Sequence, residues 1–141
     1  MFIKQISVFL ENTTGRLEEF TKILEEYKID MKALSIADTE EFGILRCIVE
    51  EPEAATTILK ENGFTASITE VLAVEMEDIP GGLHRILHVL AKEDIAVEYV
   101  YSIIRSKQKN GVIVIKVEDP RIAGEVLQAA GINLYCQKDL I

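Results

Sequence analysis

Displaced by 66 residues, the stretch ENTTGRLEEFTKIL falls on EDIPGGLHRILHVL. Glu11 meets Glu77, Gly15 meets Gly81, Leu17 meets Leu83, Leu24 meets Leu90 and Ile29 meets Ile95. Past a two-residue insertion the displacement becomes 68, and GILRCIVEEPEAATTILKENG falls on GVIVIKVEDPRIAGEVLQAAG. Gly43, Pro52, Ala55, Leu59 and Gly63 now meet Gly111, Pro120, Ala123, Leu127 and Gly131. The matched positions are the glycines, prolines and periodic apolar residues that set turns and cores. The chain therefore reads as one unit of about 70 residues written twice.

Both copies give the same order of elements. Ile6, Val8 and Leu10 alternate with Gln5, Ser7 and Phe9, the period of a strand; Leu72, Val74 and Met76 repeat it. Leu17, Phe20, Ile23, Leu24 and Tyr27 recur at helical spacing, as do Leu83, Ile86, Leu87 and Leu90. Met31 to Ala37 and Gly43 to Val49 form a hairpin, matched by Val97 to Ile104 and Val112 to Val117 with Asn110-Gly111 as the turn signal. Pro52 opens and Gly63 closes a second helix; Pro120 and Gly131 do the same. Phe64 to Glu70 and Ile132 to Gln137 are the last strands. The expected class is α+β: two tandem ferredoxin-like βαββαβ sandwiches with antiparallel sheets, over residues 1–70 and 71–141. Thr69 to Ala73 is β-prone and has no linker composition, so the units are expected to be tied together directly. Side-by-side pairing of the units through sheet edges, and a homodimer of chains, are expected from such edges and from an open face bearing Tyr99, Tyr101 and Ile103.

Composition removes several classes of function. A net charge of −9 argues against tracking nucleic-acid phosphates. Apolar runs such as Val112 to Ile115 are far short of a membrane span, and the first residues lack a signal-peptide pattern. A cytoplasmic location is the expectation. Cys47 and Cys136 sit in apolar alternating segments without ligand spacing, so they read as two buried, reduced thiols. His84 and His88 share a helix face, but their counterparts are Glu18 and Lys22, which belong in solvent; no metal is expected. Arg105, Lys107 and Lys109 make one hairpin basic where Asp38, Glu40 and Glu41 make the other acidic. These charges are solvated, or they pair opposite hairpins. No catalytic constellation is apparent, so neither an enzyme nor a cofactor is expected.

The loop after the first strand carries a resemblance. In the second copy it reads Glu77-Asp78-Ile79-Pro80-Gly81-Gly82-Leu83. This is similar to the acidic-x-Pro-Gly-x-Leu loop between strand 1 and helix 1 of the ACT family of small-molecule sensors. The first copy, Glu11-Asn12-Thr13-Thr14-Gly15-Arg16-Leu17, keeps the polar residue, the Gly and the Leu but has Thr14 where Pro80 stands. The resemblance covers nearly the whole chain. It implies a regulatory protein made only of sensor domains, binding an amino acid or related carboxylate and acting on a metabolic enzyme partner.

The same loop has a physical logic of its own. Glycines let backbone approach a ligand, and a helix start offers unpaired N–H groups to a carboxylate. The expected ligand contacts are Asn12, Thr13, Thr14, Gly15 and Arg16 in one copy and Asp78, Ile79, Pro80, Gly81, Gly82 and Leu83 in the other, near the interface of the units. Asn12 or Asp78 would hold the amino group, or would merely organise the turn or cap a helix. Arg16 would add to carboxylate binding or face water. An apolar amino acid is the preferred ligand, and Gly82→Val is expected to block it without unfolding a surface loop. The other reading is a ligand-free module that dimerises or docks through sheet faces and edges.

Overall fold

The computed structural model describes residues 2–38, 41–103 and 110–140. Ile104, the basic hairpin residues Arg105, Lys107 and Lys109, and Glu40 of the acidic hairpin lie outside the described residues. The chain divides into two compact units, Lys4–Thr69 and Glu70–Ile141, the latter joined by the first residues of the chain.

The N-terminal unit contains β1 (Ile3–Glu11), α1 (Arg16–Glu26), β2 (Met31–Asp38), β3 (Phe42–Val49), α2 (Pro52–Glu61) and the start of β4 (Thr65–Met76). Its strand order is β2-β3-β1-β4. β1 pairs antiparallel with β3, Ile6 opposite Cys47 and Val8 opposite Leu45. The Ser7 and Thr69 hydroxyls lie 3.0 Å apart and join β1 to β4; the fully buried Gln5 donates its amide to Ser7 at 3.1 Å.

The C-terminal unit uses the rest of β4, then α3 (Gly82–Lys92), β5 (Val97–Ser102), β6 (Gly111–Val117), α4 (Pro120–Ala129) and β7 (Leu134–Tyr135). The strand order is β7-β4-β6-β5, with Leu72 opposite Ile115 and Val74 opposite Ile113. The register shift that follows Met31 in β2 recurs after Val97 in β5, so even the irregularity is duplicated. The expected fold class is therefore the observed one: a βαββαβ unit with antiparallel pairing, twice.

One end differs from expectation. The last strand was expected to run from Ile132 to Gln137, but β7 is two residues long and a 3-10 turn, Gln137–Leu140, follows. Asp139 is the cause: its Oδ2 accepts from the Cys136 backbone N–H at 2.8 Å and from the Cys136 thiol at 3.1 Å, which closes the turn. The open-face patch also differs. Ile103 is only 8% exposed, and its N–H continues the ladder to Val112 O at 2.9 Å; Tyr99 and Tyr101 are half-buried and stacked on each other.

The two cores are the same list shifted. Ile6, Val8, Phe20, Leu24, Leu45, Ala55, Leu59 and Phe64 in one become Leu72, Val74, Ile86, Leu90, Ile113, Ala123, Leu127 and Ile132 in the other. Each fully buried Leu or Ile contributes about 1.5–3 kcal/mol. Cys47 holds the place of Ile115, and burial pushes its thiol up to about 12, so it stays protonated and inert; Cys136, expected to be buried as well, is partly exposed because the chain turns there toward Asp139. No helix among the described residues is long and apolar enough to cross a membrane.

Candidate functional site

The loops that enter α1 and α3 share one backbone design. In the first, Thr13 N donates to Glu11 O at 2.9 Å and Arg16 N to Thr13 O at 3.3 Å. In the second, Ile79 N donates to Glu77 O at 2.9 Å and Gly82 N to Ile79 O at 3.0 Å. Gly15 and Gly81 turn the chain into each helix with φ of 87° and 90°, the left-handed region where a side chain is strained. Neither helix has a side-chain cap, so Asn12 and Asp78 do not cap the helices that follow them. The first-turn amides of Leu83 and His84 fall where an α-helix supplies no carbonyl partner.

Among the described residues, the loop of the C-terminal unit borders a cavity that reaches the core residues Ile86 and Ile132. Its volume is about 310 Å³, and Ile79, Pro80, Gly81 and Gly82 form one wall. Asp78 and Leu83 do not line it. Opposite the loop lie Ile86, Gly131 and Ile132; Glu75, Glu77, Arg85, Asn110 and Asn133 supply its polar groups. In the N-terminal unit a hollow of about 300 Å³ touches Thr13, Thr14, Gly15 and Arg16, but its other walls are Glu18, Glu19 and Lys22 along the outside of α1.

Glu75 is the fixed charge of the cavity. Asn110 Nδ2 donates to its Oε1 at 2.8 Å and Asn133 Nδ2 to its Oε2 at 2.6 Å. These bonds, Asn110's first and then Asn133's, with help from the Tyr135 hydroxyl, hold the carboxyl below its ordinary value of 4.5 against the opposing effect of burial. A depressed folded-state pKa stabilises the fold fully above the unfolded value, and that stability is lost as pH falls through the folded one. Glu75→Gln is therefore expected to lower the melting temperature at neutral pH and to flatten its fall below about pH 4.5. Melting curves from pH 2 to 7 check this; parallel acid limbs in the two proteins would refute it.

The repeat shows how specific this arrangement is. Glu75 and Asn110 correspond to Phe9 and Phe42, whose rings pack 4.8 Å apart in the N-terminal unit. One copy has a charged knot where the other has an aromatic pair. Glu75 escapes sequence reading because it alternates with core residues like any outward strand residue, and Asn110 reads as a turn residue. Comparing copies for positions that change from apolar to polar would have found both.

The ACT domain pair family matches the sequence over residues 1–141. The chain belongs to that family. Among solved structures, the ACT pair resembles protein BT0572 from Bacteroides thetaiotaomicron, with 38% identity, a TM-score of 0.90, and coverage of 99% of this chain and 96% of that one. It also resembles the ligand-free regulatory subunit of aspartate kinase from Thermus thermophilus, at 14% identity and a TM-score of 0.62, covering 90% and 91%. The regulatory subunit of aspartate kinase from Thermus flavus is similar at 13% identity and a TM-score of 0.60, covering 91% of this chain and 92% of that one. The last two likenesses are of fold. No curated protein sequence matches the chain.

Within the ACT pair, Gly82 lines the cavity and also has a packing task that was not expected. It is buried, and a Cβ placed on it would stand 2.1 Å from Glu77 O and 3.3 Å from Met76 Cγ. The helix start is packed on the backbone of its own loop. A side chain there would force the loop or α3 to shift, so Gly82→Val is expected to disturb the loop and not only to block a ligand. His84 and His88 stack at 5.8 Å on an exposed face. Among the described residues no three His, Cys, Asp or Glu side chains cluster as a metal site would.

Proposed function

We propose that this ACT pair is a regulatory binding protein, without catalytic activity of its own, whose ligand is an amino acid or related small carboxylate held in the cavity of the C-terminal unit. One observation carries the reading. The cavity joins a carboxylate fixed by two amides, Glu75, to a guanidinium, Arg85, and a helix start. A zwitterion matches that set: its ammonium turns to Glu75 and Glu77, its carboxylate to Arg85 and the first-turn amides of α3. Ile79, Pro80, Gly81 and Gly82 form the wall that the backbone presents. The aspartate kinase regulatory subunits of like fold support a regulatory role, in which a partner enzyme reads the bound state. Ligand acts on such a partner only through different affinities for its two states.

Thermal-shift screening against the proteinogenic amino acids tests the reading. A ligand at 100 times its dissociation constant adds about 2.7 kcal/mol, which moves the melting temperature by several degrees in a chain of this size. If no amino acid at millimolar concentration moves it by a degree, the reading fails.

A second reading, an interaction module, is favoured by the Phe9–Phe42 pair, 43% and 38% exposed. On that reading chains form dimers through this apolar patch. Light scattering is expected to show a dimer that Phe9→Ser converts to monomer; a dimer indifferent to Phe9 would refute this use of the patch.

A further inference from the structure

In the N-terminal unit the side chain of Arg16 folds back over the start of its own helix. Nε donates to Glu11 Oε2 at 2.7 Å and Nη1 to Glu19 Oε2 at 2.9 Å. Nη2 donates to the carbonyl of Gly63 at 3.3 Å, and Cζ lies 3.9 Å above the Phe64 ring. Only 19% of the side chain is exposed, low for an arginine at the start of a surface helix.

The repeat translates every one of these contacts. Glu11, Gly63 and Phe64 correspond to Glu77, Gly131 and Ile132, and all three line the cavity of the C-terminal unit. Glu19 corresponds to Arg85, also in its lining. Arg16 itself corresponds to Gly82, which has no side chain. A guanidinium in one unit thus takes the place that is cavity in the other.

We propose that the cavity of the C-terminal unit receives the positively charged side-chain group of a basic amino acid where Arg16 serves from within the N-terminal unit, so that the chain has one ligand site. This rests on the reading that the cavity binds an amino acid, and it adds the charge class of that ligand. Among the described residues the ionisable lining is two carboxylates, Glu75 and Glu77, against one guanidinium, Arg85. A neutral zwitterion leaves the site negative, whereas a basic amino acid balances it. Arg85 holds Glu77 only at 3.8 Å and the Ala130 carbonyl at 3.4 Å, with 54% of its side chain exposed, so it can turn to the ligand's carboxylate. Ile132 replaces the aromatic shelf of Phe64 with an aliphatic one, suited to the methylene stem of the ligand.

Calorimetric titration of the full chain tests this with L-arginine, L-lysine and L-leucine. The basic amino acids are expected to bind at one site per chain, at least tenfold tighter than leucine, and Glu77→Gln to weaken them at least tenfold. Arg16→Ala, checked for folding by circular dichroism, is expected to bind methylguanidinium and to regain with it the melting temperature the substitution costs. Arg16→Met, which fills the stem's space without charge, is expected to gain no such site. Leucine binding as tightly as arginine would overturn the charge class and leave the amino-acid reading standing. An Arg16→Ala chain with no response to methylguanidinium would overturn the equivalence of the two places. Binding of no amino acid at all would overturn both the ligand assignment and the reading beneath it, while the methylguanidinium result still judges the equivalence.

Discussion

Valine at position 82 will cost the chain about 3 kcal/mol or more, because it forces a side chain into a backbone carbonyl. The Cβ alone would sit 2.1 Å from Glu77 O and 3.2 Å from Glu77 C, and neither atom is a flexible chain end. Either α3 moves off the loop or the loop abandons the hydrogen bond from Gly82 N to Ile79 O. Alanine should do nearly as much damage, since the first carbon is the offending one. Neighbouring Gly81 makes the control. Its φ is 90° and nothing lies within 4 Å of an added Cβ, so Gly81→Ala is expected to cost only about 1 kcal/mol and Gly81→Asn less. Urea denaturation followed by tyrosine fluorescence is the measurement. The chain has no Trp, and Tyr99, Tyr101 and Tyr135 report on the C-terminal unit. Equal midpoints for Gly81→Ala and Gly82→Ala would show that the carbonyl contact is not limiting.

Phe20→Ala is expected to cost about 3–5 kcal/mol, the range for deleting a fully buried aromatic ring. Phe20 is 0% exposed and meets Phe64 edge-on, with ring centroids 5.9 Å apart and planes at 76°. That geometry adds about 0.5–1.5 kcal/mol beyond area burial. The matched change in the other unit, Ile86→Ala, lacks the aromatic term and is expected at about 2–4 kcal/mol. Denaturant midpoints at constant slope decide the comparison. A Phe20→Ala cost below about 1 kcal/mol would mean that the surrounding core collapses to fill the space. The change also reaches past stability, since Phe64 is the surface on which the Arg16 guanidinium rests.

The fold was legible because duplication doubles every local signal. Strand alternation at Ile6, Val8 and Leu10 is weak evidence alone, but the same pattern at Leu72, Val74 and Met76 fixes which face is buried. The two displacements, 66 and 68, pair the cores residue for residue, as at Phe20 with Ile86 and Leu59 with Leu127. The site was legible only as a loop. Side chains that come together from distant elements, Glu75 with Asn110 and Asn133, leave no mark on periodicity. The closeness of Gly82 to the loop's own Glu77 carbonyl, 2.1 Å from an added Cβ, leaves no mark on the sequence either. Arg16 was read as a binding residue or a solvated charge, and neither reading anticipates a side chain with four partners inside its own unit. The short β7 could not be foreseen because one carboxylate, Asp139, competes for the backbone of Cys136.

β4 runs unbroken from Thr65 to Met76, and its first residues complete one unit while its last ones build the other. For inheritance this matters more than for stability. A recombination event has no breakpoint between the copies that spares a hydrogen-bonded strand, so a single copy excised at residue 70 would carry a torn edge. Gene shuffling is therefore expected to move this pair as one indivisible cassette, and its two copies to diverge in place, one keeping its own arginine and the other its glycine.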